Sequence, residues 1–223
     1  MGFLEVFGMW IFAISLVFMF LPIAQVKEWR ARGTTEGFSA VHLLLPVLMM
    51  GCWLRHGLMT GDSVNIYINL MGVVSCLCYL AAFAYYTKNR STLYAQVGAL
   101  AATLLAIFAY VGTLSAEEAP HAMGKIAAVS QNAGLFGGIY QIKTVISRKT
   151  TEYMPASMQY AILFVLLQWL TFGVLSGNVY MVVSRIPGLI VSLVSISLYV
   201  IYPPITWRVP ILGTQQAQEK KNE

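Results

Sequence analysis

Pro22–Phe38 reads PIAQVKEWRARGTTEGF, and Gly138–Met154 reads GIYQIKTVISRKTTEYM. Set against each other without a gap, Gln25, Lys27, Arg32, Thr34, Thr35 and Glu36 meet Gln141, Lys143, Arg148, Thr150, Thr151 and Glu152. The register persists outward. Trp53, Leu54, Gly57 and Gly61 meet Trp169, Leu170, Gly173 and Gly177, and Gly72 meets Gly188. From Pro22 to Tyr86 the shift is 116 residues, and 15 of 65 positions are identical. Self-similarity at a fixed offset marks duplicated structural units. In so apolar a chain it marks a two-halved membrane transporter, with the binding site expected between the halves.

The composition supports lipid as the main solvent. Hydrophobic residues make up 58% of the 223 residues and charged residues 10%, against about 25% charged in a soluble domain. A span needs about 20 apolar residues. Seven runs qualify, at 6–26, 40–59, 63–86, 92–115, 125–146, 156–175 and 179–203. The expected fold is therefore all-α, with seven transmembrane helices. The run from Phe7 follows only Glu5 and lacks a basic leader, so it reads as the first span rather than a signal peptide.

The charges set the orientation. Lys27, Arg30, Arg32, Lys88, Arg90, Lys143, Arg148, Lys149, Arg208, Lys220 and Lys221 fall on one side, 11 of the 14 bases. Glu5, Asp62, Glu117 and Glu118 fall on the other, with Lys125 at its edge. The positive-inside rule places the N-terminus outside and the C-terminus in the cytosol, which requires an odd number of spans. Three helices invert the chain, so one extra span must restore its direction before the second copy. The layout is three plus one plus three. A first bundle spans 6–86, a linker helix 92–115, a second parallel bundle 125–203, and a cytosolic tail 204–223, polar and disordered from Gly213. The net charge of +5 is spread over short loops and forms no nucleic-acid patch.

The chemistry follows from the repeat. Trp53 and Asn69 lie eight residues either side of Gly61, and Trp169 and Arg185 eight either side of Gly177. At about 1.5 Å per residue all four sit roughly 12 Å from their hairpin tips. Ringing one cavity, the indole faces suit the C–H faces of a sugar, and the amide and guanidinium suit its hydroxyls. The alternatives are tryptophans in an interfacial belt, an asparagine bonding between helices, and Arg185 snorkelling to headgroups. Arg55 reads as a snorkelling surface residue. Pro22, Pro46 and Pro155, with Gly138 as the mate of Pro22, mark hinge points or static kinks. Gln25 and Gln141, three residues after Pro22 and Gly138, read as hydrogen-bond ties near an inner gate.

No span carries a mid-membrane carboxylate, the group on which proton relays and sodium sites commonly depend. Downhill facilitation is therefore favoured over a driven pump. No catalytic constellation, phosphate loop, metal cluster or cofactor motif stands out, so no enzyme is expected. Cys52, Cys76 and Cys78 lie in apolar runs and read as reduced packing residues. Asn89-Arg90-Ser91 matches the glycosylation pattern but sits in a cytosolic loop.

These residues resemble the SWEET family of sugar uniporters, within the wider PQ-loop group. The resemblance covers about 5–205 and rests on Thr34–Ser39, Thr151–Pro155, both W-x-x-x-G segments and Asn69–Gly72. It implies two triple-helix bundles joined by a linker helix, a central pocket for a mono- or disaccharide, and alternating access. It implies pocket residues at Trp53, Asn69 and Trp169. The family's second asparagine falls at Arg185, which bears on the substrate. Of the family's four hinge prolines, Pro22 and Pro155 match, Gly138 replaces one and His42 another, with Pro46 a turn away. The resemblance also implies homo-oligomers and a plasma-membrane location, with internal membranes such as the Golgi as alternatives. Three other classes remain: a carrier of amino acids or another small solute, a non-transporting PQ-loop scaffold or trafficking receptor, and a G-protein-coupled receptor. The gapless repeat counts against the last.

Overall fold

The computed structural model describes residues 2–20 and 22–216. Nine α-helices appear among them: α1 (Phe3–Met19), α2 (Ile23–Arg32), α3 (Val41–Thr60), α4 (Ser63–Tyr86), α5 (Ser91–Gly112), α6 (Glu118–Gln131), α7 (Leu135–Arg148), α8 (Ala156–Leu175) and α9 (Val179–Ile201). Six segments are long and apolar enough to cross a membrane, the first being α1 and α2 counted together. The expected spans at 6–26 and 125–146 are each two helices. The first breaks before Pro22, which caps α2. The fifth breaks at a 3-10 turn, Asn132–Gly134, and its two helices of 14 residues are each too short to span alone.

The repeat is a structural repeat, and the matched residues explain why. Each copy folds α3–α4 or α8–α9 into a tight hairpin. Gly61 and Gly177 turn the chain at φ 70° and 67°, a left-handed conformation that costs a side-chain-bearing residue roughly 1 kcal/mol. The next residue in each copy caps the following helix: Asp62 accepts from the Asn65 N–H and Asn178 from the Met181 N–H. The N–H groups of Asp62 and Asn178 donate to the Gly57 and Gly173 carbonyls at 3.1 and 2.9 Å. A Cβ on Gly57 would lie 3.2 Å from Ile66, and one on Gly173 3.2 Å from Val182, the repeat mate of Ile66. Deeper in the hairpins, a Cβ on Gly72 would strike Met50 and one on Gly188 would press on Leu166, the mate of Met50. With lipid tails as apolar as leucine, such backbone approach is what holds helices together.

The chain divides into two compact units between Gln131 and Asn132. In the first, α3 is central and packs on α4, α5 and α6, while α1 and α2 lie on α4. By sequence α6 is the mate of α1, yet its buried Met123, Gly124 and Ala127 belong to this unit. In the second, α9 packs on α7 and α8. The two apolar cores use the same repeat positions. Trp29, Ala40, Phe83 and Leu93 pack together in the first unit; Val145, Ala156, Tyr199 and Val209, their mates, pack together in the second.

Residues 213–216 of the tail depart from the expectation of disorder, and the tail beyond Gln216 lies outside the described residues. Residues 213–216 belong to a strap that folds back on the second unit. Thr214 Oγ1 donates to the Tyr199 carbonyl, Gln215 Nε2 to Ile205 and Gln216 Nε2 to Lys149. Earlier in the strap, the Glu152 carboxylate accepts from the N–H groups of Ile205 and Thr206 and from the Thr206 hydroxyl. These bonds, the Thr206 hydroxyl first, hold the Glu152 carboxyl below the usual carboxylate range. Thr214 thus supplies a partner for the orphan Tyr199 carbonyl in the last turn of α9. Lys220 and Lys221 lie outside the described residues.

Candidate substrate site and gate ties

The hairpins carry the four candidate side chains, one pair per unit. In the first, α3 supplies Trp53 and α4 supplies Asn69, at 2% and 7% exposure. An interfacial belt position is incompatible with that burial. A third residue, Asn65, ties the pair. Its Nδ2 donates to the Trp53 carbonyl at 3.2 Å, and Asn69 Nδ2 donates to the Asn65 carbonyl at 2.8 Å and to Asn65 Oδ1 at 2.5 Å. The Asn69 amide hydrogens are thus directed at Asn65, and its Oδ1 remains to accept from a ligand hydroxyl. The Trp53 indole N–H is buried with no hydrogen-bond partner among the described residues, a donor ready for an acceptor. His56 packs edge-on to Trp53, ring centroids 5.6 Å apart.

In the second unit the Asn65 position is Met181, and the pair meets directly. Arg185 on α9 lays its guanidinium 5.2 Å from the Trp169 ring centroid on α8. Trp169 is 8% exposed, and Phe172 packs edge-on to it. The Arg185 Nε–H is buried and has no hydrogen-bond partner among the described residues. Arg55 on α3 is half-buried with its Nε likewise buried and unpartnered, so it is not a plain surface residue. Along α9 from Arg185, the Ser192 hydroxyl is buried and unpartnered as well. Asn65 and Ser192 were missed by sequence reasoning; a buried asparagine and serine leave no hydropathy or spacing signal of their own.

At the opposite ends of the hairpins both glutamines are tied across helices. His42 Nε2 on α3 lies 2.9 Å from Gln25 Oε1 on α2. Gln159 Nε2 on α8 donates to Gln141 Oε1 on α7 at 3.2 Å. Gln159, one position past the mate of His42, was not anticipated. Pro46 lies inside α3 and Pro155 caps α8. Gly138 lies inside α7, one turn past the break, where a Cβ would come within 2.9 Å of Val191 on α9. A second in-helix proline, Pro187 in α9, escaped the sequence reading. A cleft of about 500 Å³ opens between Thr34–Ala40 and the start of α5, but none of the four candidate residues lines it.

A duplicated helical hairpin of membrane-spanning length, carrying buried aromatic and hydrogen-bonding groups at matched depth, defines a multi-pass membrane carrier protein. The family model described as sugar efflux transporter for intercellular exchange matches residues 5–91 and 121–206, and the chain belongs to that family, the SWEET transporters. It is 26% identical over 195 residues to the sugar transporter SWEET1 of Drosophila pseudoobscura pseudoobscura, covering 86% of each chain. It is 23% identical over 190 residues to SWEET1 of Danio rerio, covering 84% of this chain and 87% of that one. The solved structure of a eukaryotic SWEET transporter shares the fold, with TM-score 0.75 and 20% identity over 89% of this chain and 96% of that one. The class is a transporter and not an enzyme.

Proposed function

We propose that the chain moves a mono- or disaccharide down its gradient in either direction by alternating access, with Trp53, Asn69, Trp169 and Arg185 as the sugar contacts. The observation that carries this reading is the matched pair in each hairpin. Each joins a buried indole to a polar side chain eight residues beyond the hairpin glycine, and each leaves a buried donor unpartnered. A buried N–H without a partner costs about 1–3 kcal/mol, which a bound hydroxyl offsets. The triplets 6–86 and 125–203 are the working halves and 92–115 the linker. Pro22, Pro46, Pro155 and the break before Gly138 supply the bends, and the Gln25 and Gln141 ties close the inner side. The N-terminus faces outward and the C-terminus the cytosol, with the plasma membrane as the site of action and homo-oligomers as the assembled form.

The test is counterflow in proteoliposomes. Vesicles preloaded with unlabelled glucose are expected to take up labelled glucose transiently, without any ion gradient. A strict requirement for a proton or sodium gradient would refute uniport, and labelled amino acid exchanging in place of glucose would refute the sugar.

A further inference from the structure

We propose that Arg185 sets the class of sugar: the pocket takes a monosaccharide bearing a carboxylate, a uronic or aldonic acid, with Arg185 as its counter-charge. This rests on the reading that places Arg185 among the sugar contacts. Arg185 lies eight residues past the hairpin glycine, about 9 Å into α9. Its side chain is laid against the ring of a buried tryptophan rather than extended towards headgroups. Trp169 covers one guanidinium face, but a ring face accepts no in-plane hydrogen bond, and the Nε–H stays buried and unpaired.

Among the described residues no acid is paired with Arg185. Arg32 pairs with Glu28 near the end of α2. None of α3, α4, α5, α7, α8 and α9 contains an Asp or Glu. A half-buried cation in a span, without a carboxylate partner, is a costly arrangement that persists where something else supplies the opposite charge. A neutral sugar offers acceptor oxygens but leaves the charge uncompensated. A sugar carboxylate offers two oxygens that fit the Nε and terminal N–H fork of arginine, while its pyranose face can lie on the indole. One arginine matches a monoanion better than a phosphate ester, whose charge approaches −2.

Counterflow with the full-length protein separates the outcomes, using radiolabelled D-glucuronate and D-glucose. The wild type is expected to half-saturate with glucuronate at a concentration roughly ten- to a hundredfold lower than with glucose, the range of one charge-assisted pair. Arg185→Asn is expected to weaken both sugars but glucuronate far more, so that the two half-saturation concentrations converge, and Arg185→Lys to keep part of the preference. A potassium diffusion potential, positive inside, is expected to speed uptake of the uronate and leave glucose unchanged. A wild type that carries glucose while glucuronate neither exchanges nor competes overturns the proposal and leaves the sugar-carrier reading standing. Quenching of tryptophan fluorescence by glucuronate, with no flux of either sugar, supports the charge assignment and overturns transport instead. Absence of both binding and flux overturns both.

Discussion

Asn69→Ala separates a substrate contact from a structural one, because the two roles act on different measurements. The Asn69 amide hydrogens are directed at Asn65, and on the proposed reading its Oδ1 accepts from the sugar. Truncation removes one neutral hydrogen bond to a ligand hydroxyl, worth about 0.5–1.5 kcal/mol. The half-saturation concentration in counterflow should rise by a factor of about 2–12. The same truncation strips a donor from the buried Oδ1 of Asn65, which is 1% exposed. That loss costs about 1–3 kcal/mol of stability, or a few degrees of Tm in a chain of this size at roughly 2–4 °C per kcal/mol. Both quantities are measured on one preparation, by counterflow and by thermal unfolding of the detergent-solubilised protein. A lowered Tm with unchanged half-saturation would refute the substrate role and leave Asn69 as a tie within the hairpin.

Gly72→Ala should cost about 1–3 kcal/mol through overpacking against Met50; Gly72→Ala combined with Met50→Ala should recover part of the Tm, and no recovery would place the strain elsewhere. Glu152 is held below the usual carboxylate range by Thr206 and Ile205, so its hold on the strap is complete above that range and is lost as pH falls through the lowered value. The protection factors of the Ile205 and Thr206 amides, corrected for the intrinsic pH dependence of exchange, should therefore fall in acid, and Glu152→Gln should show lowered protection already at neutral pH. Gln141→Leu removes the acceptor of Gln159 and should raise labelling of a cysteine placed at Leu163, one turn further along α8 on the same face, by a membrane-impermeant reagent; equal labelling with and without Gln141 would remove the tie from the gate.

The fold was legible where residue identity dictates backbone. Gly61 and Gly177 stand at positive φ, and Asp62 and Asn178 cap the next helices. Each requirement is local, so the sequence states it twice. The helix breaks were legible only in part. Pro22 announces the first, but Asn132–Gly134 lies within an apolar run whose hydropathy hides the turn. The attachment of α6 to α3 is a tertiary fact. Repeat logic groups α6 with the second copy, while the burial of Met123 and Ala127 joins it to the first unit. The strap was misread because its partners are remote. Thr214, Gln215 and Gln216 look like a solvated tail until the carbonyls of Tyr199, Ile205 and Lys149 are brought beside them. At the candidate site the repeat exposed Trp53, Asn69, Trp169 and Arg185 through their matched spacing. Asn65 stayed hidden because its mate is Met181 and the duplication carries no trace of it.

The account turns on two like-oriented copies of one hairpin. In a background with Cys52, Cys76 and Cys78 replaced by alanine, single cysteines at Arg30 and Arg148 report the side of the membrane each copy presents. Both should react with a membrane-impermeant maleimide from the same face, and only after the cytosolic side is opened. Labelling of one from outside and the other from inside would contradict the parallel repeat.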